Sequence, residues 1–156
     1  MTSTTDAVTV TTCVAVDPAT AFTVFTDEID RWWRRGPRYR FVDGHGTLAF
    51  NDGRLVERGP KGSHDIGRVL AWEPGVRLSF ECRAKSFAVG EFSIVEVSFD
   101  AEGEGTRVTV VNRGWDRFPA DHPAKHGYEG GAFTAMIGLW WGDLLLPLQR
   151  RLGAAA

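Results

Sequence analysis

Three polar residues of this sequence could carry acid–base chemistry, because they fall among apolar residues of the predicted elements. Arg68 and Glu96 share strand faces with apolar side chains, and Tyr128 lies near the start of the predicted last helix. Inside an apolar pocket such groups polarise a carbonyl or move a proton, as a cyclase or dehydratase requires. This chemistry needs at least two of the three in one pocket. The alternative is that they face solvent from a half-exposed sheet, as would Asn112.

The histidines and cysteines predict neither a metal centre nor a catalytic dyad. His122 and His126 stand at i and i+4 of the predicted helix, a spacing that suits metal ligands, but the glutamate of an HExxH motif and a third ligand are missing. We therefore expect both to be exposed. Cys13 and Cys82 belong to no CxxC or Cys/His cluster, so we expect free thiols. No catalytic residue, metal or cofactor is predicted.

Arginine and aromatic residues alternate between Arg31 and Phe41, an arrangement that can grip an anion or stack on a base. We favour a structural interpretation, in which Trp32 and Trp33 close the core while the arginines solvate that end. The chain has 18 basic and 20 acidic residues, which gives a net charge of -2. This balance predicts no binding to nucleic acid or to an anionic membrane.

Length and composition indicate one globular domain over residues 1–156. Apolar residues make up 43% of the chain, which suits a packed core and argues against disorder. The N-terminus lacks a basic segment followed by an apolar run. We also expect no window that reaches the about 18 apolar residues needed to span a bilayer. We therefore predict a cytoplasmic protein.

The predicted elements come in the order one strand, two short helices, six strands and one long helix. The first strand covers residues 8–16, Asp17 caps the first helix, and the second helix covers Asp27–Arg34. Short alternating runs between turn residues, such as Asn51-Asp52-Gly53, then predict three hairpins. The strands of these hairpins are Thr47–Phe50, Arg54–Arg58, His64–Trp72, Val76–Arg83, Glu91–Asp100 and Thr106–Arg113.

The long helix, His122–Arg151, is predicted to be apolar on two opposite faces. One face carries small residues: Gly127, Gly131, Ala135, Gly138 and Gly142. The other carries bulky residues: Phe133, Ile137, Trp140, Trp141, Leu144 and Leu148. Such a helix must be covered on both sides or face a cavity, and Pro147 should kink its last turns. These elements predict an α+β helix-grip fold, in which a bent seven-stranded antiparallel sheet wraps around the helix.

Three segments, in this order, resemble SRPBCC or START-like proteins: Val16–Trp33, Gly67–Cys82 and Gly127–Leu152. Within this superfamily the chain is most similar to the branch named after activators of the heat-shock protein 90 ATPase. The resemblance implies a deep cavity between sheet and long helix that holds a small apolar or amphipathic ligand. Members of the superfamily carry lipids or hormones, cyclise polyketides or stimulate chaperones, so the fold alone does not select a function.

We predict a small-molecule binding protein whose ligand lies between the sheet and the helix. The predicted site combines strand aromatics, orienting polar groups and small helix residues: Phe41, Phe50, Arg68, Trp72, Phe80, Phe92, Tyr128, Gly131, Ala135 and Gly138. Close packing of the same side chains is the structural alternative. The functional alternatives are a cyclase- or dehydratase-type enzyme and a chaperone-activating or other protein-interaction module. An uncovered helix face would allow a homodimer.

Overall fold

The computed structural model of the chain describes residues 7–119 and 121–154. The strands are β1 Ala7–Val14, β2 Thr47–Asn51, β3 Arg54–Gly59, β4 Gly62–Glu73, β5 Arg77–Cys82, β6 Ser93–Glu102 and β7 Gly105–Arg113. The α-helices are α1 Pro18–Asp27, α2 Ile29–Trp32 and α3 Gly130–Leu152, and short 3-10 turns cover Trp115–Arg117 and Pro123–Lys125. The strands form one antiparallel sheet in the order β1-β7-β6-β5-β4-β3-β2. The predicted α+β fold is confirmed.

The β2–β3 hairpin closes through Asp52 and Gly53, whose φ angles are 51° and 74°. Two successive residues with positive φ form the tight turn that fits the twist of a hairpin, and Asp-Gly adopts it at low cost. The carbonyl of Gly53 accepts a hydrogen bond of 2.8 Å from the backbone N–H of Val69. The turn is therefore tied to β4. Phe50 pairs with the buried Leu55, which places Phe50 on the inner face of the sheet.

Strand β4 does not keep a single alternation, so the prediction that Arg68 shares a strand face with apolar side chains, here Ile66 and Trp72, is wrong. Its pairing with β3 skips Ile66, and its pairing with β5 skips Leu70. Each such bulge adds one residue and changes the face on which later side chains lie. Ile66 is consequently buried, whereas Arg68 is exposed. Trp72 contacts Phe22 of α1 and so lies on the inner face.

Helix α1 begins as predicted, with Asp17 as its cap. The backbone N–H of Thr20 donates to the Asp17 carboxylate at 2.9 Å, and hydrogen bonding to Thr20 lowers the pKa of this carboxyl. Helix α2 covers only Ile29–Trp32, because Trp33 has an extended backbone with ψ of 121°. Trp32 and Trp33 are both buried. They close the core at the end of the short helices, as expected.

Helix α3 begins at Gly130 rather than at His122. His126 and Gly127 have φ angles of 49° and 79°, so the chain cannot continue a right-handed helix through them. Gly127 therefore lies outside the small face of the helix. The bulky face packs into the core as predicted, with these residues buried: Phe133, Trp141, Leu144 and Leu148.

Helix α3 is also long and apolar enough to cross a membrane by length and composition, contrary to our expectation. The core helix of a globular domain satisfies the same criteria, and most of the bulky face of α3 belongs to the main hydrophobic core. This feature therefore does not show a membrane span. The compartment stays a prediction.

A buried hydrogen-bond network anchors α3 to the sheet through Asn112. Trp141 Nε1 donates to Asn112 Oδ1 at 3.1 Å, while Asn112 Nδ2 donates to Ser93 Oγ at 3.0 Å and to the carbonyl of Ile94 at 3.1 Å. Asn112 is 4% exposed, so the expectation that it faces solvent is wrong. The cost of burying its amide is offset by these partners. Asn112 fixes the position of the helix.

The arginine-rich segment contains a buried ion pair, which corrects the expectation that its arginines only solvate that end of the core. The side chains of Arg40 and Glu57 are 4% and 0% exposed, and Nη1 lies 3.1 Å from Oε2. The same nitrogen lies 2.7 Å from Asp30 Oδ1. Glu57 Oε1 also accepts from the backbone N–H groups of Phe41 and Val42, at 2.6 and 3.0 Å. These contacts hold the segment against β3.

Candidate functional site

An aromatic cleft opens where the end of β2, the following turn and β4 meet. It is lined by Phe50, Asn51, Asp52, Gly53, Val69 and Trp72. The cleft has a volume of about 300 Å³ and is open to solvent. This volume lies at the lower end of the range of small-molecule pockets, about 300–1,000 Å³. Only a compact ligand, or one part of a larger ligand, fits the cleft.

Phe50 and Trp72 form the apolar wall of the aromatic cleft. Their ring centroids lie 5.5 Å apart with planes at 70°, an edge-to-face arrangement. Phe50 also contacts Phe80 in the core at 5.8 Å, and Trp72 contacts Phe22 of α1 at 5.3 Å. Core packing therefore holds both rings. Trp72 nevertheless remains 43% exposed, so part of its indole surface is available to a ligand.

The rim of the aromatic cleft is polar and comes from the β2–β3 turn. Asn51 and Asp52 line it beside Gly53, and both side chains are exposed. The sequence predicted only that these residues close a hairpin. The signal that they could do more was their position directly after Phe50, because a tight turn keeps its polar side chains close to the last strand residue.

The remaining aromatic candidates do not line this cleft. Phe41 and Phe80 are buried in the core, and the ring of Phe41 stacks on that of His64 at 5.2 Å. Phe92 is half-buried beneath the guanidinium of Arg117, which lies 4.8 Å from the ring centroid. Tyr128 precedes α3 and is 47% exposed. A role of these four in ligand binding stays a prediction, and they do not meet at one place.

The small face of α3 does not form the wall of an internal cavity in the described part of the chain. Gly131 and Ala135 are exposed. A Cβ atom added at Gly138 would meet Val8 of β1 at 3.6 Å, while one added at Gly142 would meet no heavy atom within 4 Å. The sheet therefore covers the bulky face, and the small face is directed towards β1 and solvent.

A second, open groove runs between β1 and α3. It has a volume of about 400 Å³ and is lined by Val10, Thr11, Thr12, Cys13, Gly142, Leu145, Leu146 and Gln149. Gln149 Nε2 donates to the carbonyl of Cys13 at 3.1 Å, and the backbone N–H of Ala15 donates to the carbonyl of Gly153 at 2.9 Å. The backbone groups of Cys13 and Ala15 thus point away from β7, towards the free edge of the sheet. Every second residue of a strand directs its backbone groups to the same side, so those of Thr11 also point to this edge.

The three polar candidates for acid–base chemistry lie apart from each other. Arg68 pairs with Glu81 at 3.5 Å on the exposed face of the sheet. Glu96 pairs with Arg113 at 3.4 Å, and Tyr128 lies in the loop before α3. The requirement that two of them share a pocket is not met. The structure therefore gives no support to an enzyme that uses these residues.

His122 is buried rather than exposed, which corrects the sequence-based expectation, whereas His126 is exposed as expected. The backbone N–H of Ala124 donates to His122 Nδ1 at 3.1 Å, so the hydrogen of the neutral ring lies on Nε2 and donates to Glu91 Oε1 at 2.8 Å. Hydrogen bonds from the backbone of Ala88 and from His122 lower the pKa of Glu91. No cluster of three potential metal ligands occurs in residues 7–119 and 121–154.

A known protein family matches this sequence, and solved structures share its fold. The chain matches the family model described as "Activator of Hsp90 ATPase homolog 1-like protein" over residues 15–137. No curated protein matches the sequence.

Solved structures share the fold at low sequence identity. The Aha1 dimer from Colwellia psychrerythraea has 14% identity and a TM-score of 0.63, with 94% of this chain and 95% of that chain covered. An HSP90 activator from Plasmodium falciparum has 17% identity and a TM-score of 0.57, with coverage of 96% and 98%. DynU16, a putative protein of the dynemicin biosynthetic locus, has 22% identity and a TM-score of 0.60 over 94% of this chain. This chain spans about half of DynU16, 47% of its length.

The family model covers most of the chain, and the sheet and helices follow the fold of these structures. The chain belongs to the family of proteins similar to activator of Hsp90 ATPase homolog 1.

Proposed function

We propose that the protein binds a small apolar or amphipathic molecule in the aromatic cleft between Phe50 and Trp72. The observation that carries this proposal is the half-exposed indole of Trp72, which core contacts hold in place at the wall of an open cleft. A tryptophan offers the largest apolar side-chain surface, so a ligand that covers its exposed part gains free energy from the burial. Two of the ten predicted site residues, Phe50 and Trp72, meet there.

The size of the aromatic cleft limits the affinity. A ligand that covers about 150 Å² of apolar surface gains about 4 kcal/mol before ordering costs. Even without those costs this gain corresponds to a dissociation constant of only about 1 mM, and the costs weaken binding further. Tighter binding needs polar contacts at the rim, where Asn51 and Asp52 are available. The assay must therefore detect weak binding.

Chemical-shift titration of the tryptophan indole N–H groups, with naphthalene-sized alcohols as ligands, tests the proposal. We expect the Trp72 signal to shift, and Trp72→Ala to weaken binding by about 10-fold or more, since this equals the loss of about 1.4 kcal/mol of contact. Tyr128→Ala is the matched control, because Tyr128 is similarly exposed but lies outside the cleft. A Trp72 signal that none of the alcohols moves would disprove the proposal.

We also propose that two copies associate through the exposed face of α3. Leu139 is 72% exposed and Leu146 is 37% exposed, and Leu146 lines the groove beside Gly142. A large apolar side chain beside an open groove on the same helix gives a surface that can be complementary to itself. The related Aha1 protein of Colwellia psychrerythraea is described as a dimer.

Sedimentation velocity over a range of concentrations tests this association. We expect a dimer that Leu139→Glu converts into a monomer, because a carboxylate would be buried at the contact. Val89→Glu is the matched control, since Val89 is a fully exposed residue of a loop. If the unmodified protein stays monomeric at all concentrations, the α3 face is not a dimer contact.

A chaperone-activating role remains an alternative that rests on the family alone. It is tested by adding the protein to a heat-shock protein 90 and measuring ATP hydrolysis. A several-fold stimulation that survives Trp72→Ala would support this role and show that it does not depend on the aromatic cleft.

A further inference from the structure

We infer that the aromatic cleft selects ligands that carry a positive charge next to a flat apolar group, with Asp52 as the partner of the charge. This inference rests on the proposed ligand-binding function of the same cleft. Among the six residues that line the cleft, Asp52 has the only ionisable side chain. A cleft with one carboxylate and no basic residue is electrostatically complementary to a cation.

The neighbouring arginines are already engaged with other acids, so they do not neutralise Asp52. Arg54 Nε lies 2.7 Å from Asp65 Oδ2. On the next strands, Arg68 pairs with Glu81 and Arg77 pairs with Glu73. Among the ion pairs of residues 7–119 and 121–154 none includes Asp52. Its charge is therefore available to a bound ligand.

The aromatic wall favours the same ligand class. The faces of tryptophan and phenylalanine rings carry partial negative charge, which attracts an ammonium group within about 6 Å of the ring centre. A protonated amine on a short arm could therefore reach Asp52 while the flat part of the molecule covers Trp72. A carboxylate on the same arm would be repelled by Asp52 and by the ring faces. Aromatic ammonium compounds are thus favoured over fatty acids and other apolar anions.

Three probes of nearly equal size separate charge from shape: 1-naphthylmethylamine, which is an ammonium ion at pH 7, 1-naphthylmethanol and 1-naphthoate. Titration is followed by the shift of the Trp72 indole N–H signal. We expect the ammonium probe to bind about 5- to 10-fold more tightly than the alcohol, as one exposed charge contact contributes about 1 kcal/mol. The carboxylate should bind more weakly than the alcohol. The preference should decrease at high salt concentration.

Asp52→Asn is the decisive variant, because asparagine tolerates the positive φ of this turn position and only the charge is lost. We expect the variant to bind the ammonium probe and the alcohol within about 2-fold of each other, with the affinity for the alcohol unchanged. Glu104→Gln is the matched control, since it removes an exposed acid from another hairpin turn. Circular dichroism confirms that the variants are folded.

The outcomes distinguish this inference from the proposed function. If the alcohol binds at Trp72 but the ammonium probe binds no more tightly, the charge selectivity is wrong and the cleft remains a binding site. If a preference of more than about 2-fold for the ammonium probe persists in Asp52→Asn, Asp52 is not the partner of the charge and the inference fails. If none of the three probes shifts the Trp72 signal, both proposals are refuted.

Discussion

The buried ion pair between Arg40 and Glu57 offers the sharpest test of how this fold is held together. Replacing Glu57 with glutamine keeps the shape and leaves one oxygen to accept from the backbone of Phe41 and Val42. It removes a negative charge that lies 3.1 Å from Arg40 Nη1. Breaking a buried pair by removing one partner costs about 3–5 kcal/mol, because the other charge remains buried.

The expected cost for Glu57→Gln lies near the lower end of this range, about 3 kcal/mol, because Arg40 keeps its contact with Asp30. For a domain of this size that equals a fall in melting temperature of about 6–12 °C. Urea unfolding followed by tryptophan fluorescence measures the free energy directly. The matched control is Arg68→Gln, which removes an exposed pair with Glu81 and should cost less than about 1 kcal/mol.

The two variants together make the test decisive. If Glu57→Gln costs no more than Arg68→Gln, the pair at Glu57 contributes no more than a surface pair, and the reasoning from burial is wrong. Arg40→Met combined with Glu57→Gln separates the charge from the packing. The double variant should lose less stability than the sum of the single variants, by about 0.5–3 kcal/mol, because neither charge is then left alone.

Further predictions concern single buried groups. Asn112→Leu should lower the free energy of unfolding by about 1–3 kcal/mol in urea titrations, because buried partners of its amide lose their hydrogen bonds. Gly67→Ala should destabilise by about 3 kcal/mol or prevent folding, since the new Cβ would overlap the carbonyl oxygen of Glu81. Gly142→Ala should leave thermal stability unchanged or slightly raised, since its Cβ would meet no neighbouring atom. Burial raises the pKa of the Cys82 thiol to about 12, so at pH 8 its alkylation by iodoacetamide, followed by mass spectrometry, should be much slower than that of an ordinary thiol until urea unfolds the protein.

Local signals were enough to predict the elements and their order. Asp17 followed by Pro18 predicted the start of α1, and Asp52-Gly53 predicted a tight hairpin, because these residue types have strong backbone preferences. The bulky face of α3 was predicted to be covered, since a large apolar surface is unfavourable in water, but the sequence did not show that the sheet covers this face rather than the small one. The α+β fold follows from these features together.

Features that depend on pairing between distant segments could not be predicted. The bulges at Ile66 and Leu70 arise from the registers of β4 with its two neighbours, and alternation within one strand carries no information about them. The burial of Arg40 depends on Glu57, which follows it in the chain and reaches it only after β3 has folded back. The aromatic cleft also forms only where β4 meets the end of β2 and the following turn. The sequence therefore assigned Trp72 to the site but not Val69 or Asp52.

Strand β1 has a consequence for how the protein is made in a cell. It comes first in the domain, yet Val8 pairs with Asn112, about 100 residues further along. At a synthesis rate of about 5–20 residues per second, β1 waits about 5–20 s for its partner strand to leave the ribosome. Over Ala7–Val14 it has no charge and no proline to prevent pairing with other chains. The yield of folded protein should therefore depend on translation speed and on chaperones that protect β1 until β7 arrives.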